Sequence, residues 1–192
     1  MQWGVGDDAY IVPRADVDIR PYELQCTAIR AIISPNVGDG FPVPKSEEVS
    51  MKKILFVCHG NICRSPMAEF VLKDMVKKAG VADRFEIDSV AASREELGNP
   101  IYGPARRELD RHNIPCDGHR ARQITSADVA RYDHIYYMDG RNLRYLQQLF
   151  PGETKFQSFL SRDVADPWYS GDFTQTWLDI CEGCQRILEE LK

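Results

Sequence analysis

The apolar run Ile54-Leu55-Phe56-Val57 leads directly into Cys58-His59-Gly60-Asn61-Ile62-Cys63-Arg64-Ser65, and Pro66 follows. Four consecutive apolar residues read as a strand buried on both faces. The Gly60-Asn61 pair tolerates positive φ and so permits a tight loop. Ser65 before Pro66 reads as a helix start, because proline loses nothing by lacking an N–H in the first turn. A strand, a tight loop and a helix N-terminus make a cradle of inward-pointing N–H groups that favours an anion. Cys58 stands at the base of that cradle and Arg64 at its far end. The helix N-terminus and the arginine both favour the thiolate, which would be a nucleophile aimed at a bound phosphoryl group.

The spacing alone carries little weight. With six cysteines and 16 arginines in 192 residues, a cysteine six positions before an arginine arises about half a time by chance, so context must decide. The chain contains such a decoy in Cys116 and Arg122. Arg111-His112-Asn113-Ile114-Pro115 precedes Cys116 where an apolar strand is needed, and no helix start follows Arg122.

A chain of this length reads as one domain with an appendage. Residues 1–50 hold five of the eleven prolines and carry 8 acids against 4 bases. They are expected to be a poorly ordered extension or an artefact of start-site choice. Met51 reads as a natural start for a compact domain over 51–192. That domain, with 21 acids and 20 bases, offers no basic surface for nucleic acid or anionic membrane. No transmembrane run or signal peptide is expected. The cysteines do not read as a disulfide framework. A reduced, cytoplasmic setting fits a working thiolate better.

From residue 52 onward strands and helices alternate. Strands are expected at Ile54–Cys58, Phe85–Ala91, Asp133–Met138 and Lys155–Ser158. Helices are expected at Ser65–Ala79, Tyr102–Asn113, Ser126–Arg131 (capped by Thr125), Arg141–Phe150 and Asp172–Leu191. This βα alternation predicts an α/β fold with a parallel sheet covered on both faces, and ligands in such sheets bind outside the carboxyl ends of the strands. The apolar face of the last helix is read as Phe173, Trp177, Ile180, Cys184, Ile187 and Leu191. Cys181 and Cys184 are therefore read as core residues rather than a redox or zinc pair.

The segment Val57 to Glu69 closely resembles the low-molecular-weight protein tyrosine phosphatases. So does Asp166-Pro167-Trp168-Tyr169, where the family has an Asp-Pro pair followed by aromatics. Gly98-Asn99-Pro100, Ala121 to Thr125 and Met138-Asp139 fall where similar segments lie in the family. The resemblance covers about 52–192 and implies a four-stranded parallel sheet flanked by helices. It also implies hydrolysis of phosphotyrosine through a phosphocysteine on Cys58. Arg64 and the amides of His59, Gly60, Asn61, Ile62 and Cys63 would hold the phosphoryl oxygens. The resemblance assigns Asp166 as general acid and base, a role that spacing could not have picked out of 21 acids. Pro167 would stiffen its loop, and Trp168 and Tyr169 would stack on a phenyl ring.

Ser65 then has two readings, helix cap and hydroxyl donor to the thiolate. Asn61 is either a turn residue or a brace, and Asp139 either supports the site or is a plain strand-end acid. Cys63 reads as an apolar filler, while the resemblance implies a protective disulfide with Cys58 under oxidation. His59 is placed at the pocket rim; His112, His119 and His134 show no partner pattern. No metal or cofactor is expected. A phosphotyrosine protein is the expected partner, with a tyrosine kinase as one candidate, and the enzyme is expected to be a monomer.

The chain departs from the family before Gly98, where Arg94-Glu95-Glu96-Leu97 puts Glu95 near an expected aromatic and makes that wall acidic. Two rival activities share the fold. An arginine-phosphate phosphatase would carry threonine where Ile62 stands, and a thiol-linked arsenate reductase would need further cysteines within 89–103.

Overall fold

The computed structural model describes residues 50–192. The expectations for the N-terminal 49 residues lie outside the described part. Four strands, β1 (Lys52–Cys58), β2 (Phe85–Ala91), β3 (His134–Tyr137) and β4 (Phe156–Ser158), form one sheet in the order β2-β1-β3-β4. Every pairing is parallel, with Cys58 beside Ala91 and Val57 beside Tyr137. Six α-helices accompany them among the described residues: α1 (Arg64–Lys78), α2 (Gly103–Arg111), α3 (Ser126–Arg131), α4 (Gly140–Leu149), α5 (Pro167–Ser170) and α6 (Phe173–Leu191).

The buried run of β1 explains the layering. Ile54, Leu55, Phe56 and Val57 are all fully buried and alternate between the two faces of the sheet. Leu55 and Val57 join Val90, Val129, Ile135 and Leu146 in the core beneath α3 and α4. Phe56 packs edge-on against Phe159 on the opposite side, with ring centroids 5.5 Å apart. On that side α1 packs against α6 and against β1 and β2. Ala68, Val71, Leu72, Met75 and Val76, the expected stripe of α1, are all buried.

The strand order reverses direction at β1, which neighbours β2 on one side and β3 on the other. Such a reversal leaves a crevice outside the carboxyl ends of the strands, and the loop from Cys58 begins there.

Several boundaries shift. The second expected helix stops at Arg111, and Asn113 takes a left-handed φ of 57°. Thr125 closes α3 with a reciprocal capping box to Asp128. Phe173 and Leu191 are only half-buried, while Leu188 joins the buried face of α6. Helix α5 and a 3-10 turn at Ala82–Arg84 were not expected, because elements this short carry no periodic signal. No helix among the described residues is long and apolar enough to cross a membrane.

Candidate active site

The loop after β1 wraps around the Cys58 sulfur. Asn61 sits at a left-handed φ of 58°, and its N–H donates to Cys58 Sγ at 3.3 Å. Ser65 Oγ lies 3.1 Å from the same sulfur. That hydroxyl accepts a hydrogen bond from Asn61 Nδ2 at 3.0 Å, and its own proton has two acceptors in reach, the sulfur and, farther off at 3.4 Å, the Val90 carbonyl. Gly60 passes so close to Glu96 that a Cβ there would stand 2.9 Å from Glu96 Cγ, so only glycine fits without a shift.

A second layer braces this loop from behind. Asn61 Nδ2 also donates to Ser89 Oγ at 2.9 Å, and Ser89 Oγ donates to Glu69 Oε2 at 2.6 Å. His119 Nε2 lies 2.8 Å from the Asn61 carbonyl oxygen. A carbonyl only accepts, so Nε2 carries the proton. Asn61 Oδ1 accepts the Arg122 N–H at 3.2 Å. The Asn61 and Ser65 side chains are fully buried and do not line the cleft; they hold the loop's shape, which matches the brace reading of Asn61 and the hydroxyl-donor reading of Ser65. Sequence reasoning missed Ser89, Glu69 and His119, which come from β2, α1 and the stretch before α3.

The Arg64 guanidinium is buried between two carboxylates. Nη1 donates to Asp139 Oδ2 at 2.6 Å and Nη2 donates to Asp166 Oδ2 at 2.7 Å. Burial opposes its charge, but the negative charges of Cys58, Asp166 and Asp139 outweigh that and push its pKa further up. For Asp139, burial raises the pKa, but Arg64 and the Asn142 N–H prevail and hold the carboxyl below the usual range. Both acids are fixed by the helix each one caps. Asp139 Oδ1 accepts from Asn142 N at 2.8 Å, and Asp166 Oδ1 accepts from Trp168 N at 3.1 Å. Of the two readings of Asp139, the supporting one matches its contacts.

These groups open into one cleft of about 390 Å³. Cys58, His59, Gly60, Ile62, Cys63 and Arg64 form its floor, and Asp166, Trp168 and Tyr169 one wall. Trp168 and Tyr169 are 56% and 73% exposed, and Arg141 stacks over the Tyr169 ring at 5.4 Å. Glu95 and Glu96 also line the cleft. His59 stands at the rim, where Nε2 is 3.0 Å from Glu95 Oε2 and the ring meets Tyr145 edge-on.

The five described cysteines are free thiols. Burial, reinforced by the Cys58 charge, pushes the Cys63 thiol far up, so Cys63 stays protonated beside Cys58. Cys184 is fully buried on α6, as its reading as a core residue requires, whereas Cys181, read the same way, is only half-buried because it lies at the edge of the buried face of the helix. The decoy forms no cradle: Cys116 is buried, and Arg122 is committed to Asp88 and Asp128. No cluster of three or more metal-ligating side chains occurs among the described residues.

Comparison with known proteins agrees with this geometry. The family model described as low molecular weight phosphotyrosine protein phosphatase matches residues 53–192. The low molecular weight protein-tyrosine-phosphatase YfkJ of Bacillus subtilis is 34% identical over 151 residues, covering 74% of this chain and 97% of its own. The human low molecular weight phosphotyrosine protein phosphatase is 37% identical over 155 residues, covering 74% and 98%. The crystal structure of YfkJ superposes with a TM-score of 0.70 over 73% of this chain and 94% of its own. That of the Streptococcus pyogenes enzyme SP-PTP gives 0.69 at 40% identity, over 74% and 94%. The crevice at the end of β1 thus lies in a fold shared with known protein-tyrosine phosphatases, and the chain belongs to the low molecular weight phosphotyrosine protein phosphatase family.

Proposed function

We infer that the protein hydrolyses phosphotyrosine, and aryl phosphate monoesters generally, through a phosphocysteine intermediate on Cys58. The observation that carries this reading is the meeting of Arg64 with Asp166, 102 residues further on, above the Cys58 loop. In the resting cleft Asp166 is tied to Arg64. A bound phosphoryl group takes over the guanidinium, whose planar fork matches two of its oxygens, and the loop amides hold the rest. Asp166 is then free to carry a proton. The Cys58 thiolate attacks phosphorus, the P–O bond to the phenol breaks, and Asp166 gives its proton to the departing oxygen. The Asp166 carboxylate next takes a proton from water. That water attacks the phosphocysteine, releasing inorganic phosphate and restoring the thiolate. Ser65 stabilises the thiolate at both ends of the cycle.

The rim sets what enters. Trp168, Tyr169 and Tyr145 offer faces for a phenyl ring. Ile62 supports phosphotyrosine over phosphoarginine. The Glu95–Glu96 wall disfavours acidic residues beside the phosphotyrosine. A phosphotyrosine protein is the proposed substrate, a tyrosine kinase being one candidate, and a monomer in a reducing cytoplasm is the proposed working form.

The test is a kinetic comparison of phosphotyrosine, phosphoserine and phosphoarginine substrates, with Cys58→Ser alongside. Wild type should favour phosphotyrosine, and Cys58→Ser should bind phosphate without turnover. Turnover by Cys58→Ser would overturn the mechanism, and a preference for phosphoarginine would overturn the substrate.

A further inference from the structure

Arg64 and the α5 cap hold the side chain of Asp166, but other residues hold the backbone that carries it. The Val164 N–H donates to the Met138 carbonyl at the end of β3, at 2.9 Å. The next peptide groups are gripped by α6. The Ala165 N–H donates to Asp179 Oδ2 at 2.8 Å, and the Ala165 carbonyl, at 2.9 Å, is the nearer of two acceptors for Thr176 Oγ1, the Asp172 carbonyl lying at 3.2 Å. That carbonyl belongs to the peptide that joins Ala165 to Asp166. Thr176 and Asp179 are three positions apart, so they share one face of the helix. They are 0% and 2% exposed, and neither lines the cleft.

Asp179 divides its oxygens. Oδ1 accepts from Arg162 Nη2 and Gln175 Nε2, each at 2.9 Å, while Oδ2 serves the Ala165 N–H. A buried carboxylate is seldom a gain in stability over apolar packing. One whose free oxygen is spent on a single backbone N–H, one residue from a candidate acid, acts by setting geometry.

We propose that Thr176 and Asp179 are positioning residues for Asp166, which hold the Ala165–Asp166 peptide so that the carboxyl meets the leaving-group oxygen. This rests on Asp166 acting as the general acid. Asp166 has an extended backbone, with φ −91° and ψ 105°, so a tilt of the preceding peptide is passed on to its side chain. A misplacement of about 1 Å can lower a rate on the order of 10²-fold.

The experiment measures kcat/KM, which reports cleavage of the ester, on p-nitrophenyl phosphate and on phenyl phosphate, whose leaving group needs a proton more. Thr176→Val keeps the side-chain shape and removes only the donor. It should lose about tenfold more on phenyl phosphate than on p-nitrophenyl phosphate, a fraction of what a general acid supplies. Thr176→Ser should restore both rates to within about twofold, and Thr176→Val should change little further, less than about twofold, once Asp166→Ala is present. Asp179→Asn, which keeps an acceptor oxygen, should lose less on phenyl phosphate than Asp179→Ala. Equal losses on the two esters, or full additivity with Asp166→Ala, would overturn the proposal. If Asp166→Ala itself shows no leaving-group dependence, the acid assignment falls and the proposal with it. If Asp166→Ala shows the dependence and the α6 variants do not, only the positioning role falls.

Discussion

Asn61 is the residue on which the shape of the Cys58 loop most depends, and Asn61→Ala tests that dependence. The substitution removes three hydrogen bonds, two donated to Ser65 and Ser89 and one accepted from the Arg122 N–H. At about 1 kcal/mol net for each, that is about 3 kcal/mol. Alanine must also hold a φ of 58°. Asparagine tolerates this region, but it costs other L-residues roughly 1–2 kcal/mol. The expected loss is about 4–5 kcal/mol, which a domain of this size can survive. Asn61→Gly loses the same hydrogen bonds but not the backbone strain. Its extra unfolded-state entropy offsets part of that relief, so it should cost less than alanine by about 0.5–1 kcal/mol. Urea unfolding of the three proteins measures both differences, and p-nitrophenyl phosphate turnover should fall at least about tenfold in both variants as the loop amides lose their alignment. An alanine cost below about 1 kcal/mol would show that the network does not hold the loop. A glycine variant less stable than the alanine one would refute the strain argument.

The depressed pKa of Asp139 gives a pH test. Its unfolded carboxyl titrates near about pH 4, and in the folded protein Arg64 and the Asn142 N–H hold it lower. The unfolded state therefore binds the proton first, so the contribution is complete above about pH 4 and is lost as pH falls through the folded value. Urea midpoints measured from pH 7 to pH 3 should fall less steeply in Asp139→Asn than in wild type. Gly183→Ala would put a methyl 2.3 Å from two ring carbons of the fully buried Phe159. It should cost about 1–3 kcal/mol in thermal unfolding, partly recovered by adding Phe159→Leu. Glu95→Lys breaks an exposed pair with His59, so stability should change by less than about 1 kcal/mol. KM for peptides with acidic residues beside the phosphotyrosine should fall. Cys63→Ala should turn peroxide inactivation that thiols reverse in wild type into a permanent loss, measured as activity regained after dithiothreitol.

What could be read in the chain alone was whatever is built within a few residues. Ile54–Val57 marked β1, the stripe from Ala68 to Val76 marked α1, and Thr125 capped α3 where expected. Cys58 and Arg64 were legible because one turn of loop carries both and the elements on either side agree with it. Asp166 was different. Nothing local separates it from the other acids of the domain, and only the resemblance to a family singled it out. Ser89 and His119 gave no signal at all, and Glu69 closed the recognised segment without any role to read from it. His119 meets Asn61 from 58 residues away, across the end of a sheet whose strand order no periodicity reveals.

The sequence by itself therefore determined the longer elements and the tight loop between Cys58 and Arg64, because helix periodicity, strand burial and capping depend on neighbours a few residues apart. The tertiary structure decided how that cradle is completed. It set Asp139 and Asp166 on either side of Arg64, placed His119 behind Asn61, and brought α6 against the backbone before Asp166. Such pairings are energetically sound only after parallel strands have come together and excluded water. Which residues then face each other depends on the packing of the whole sheet and its helices, and no short stretch of chain contains that information.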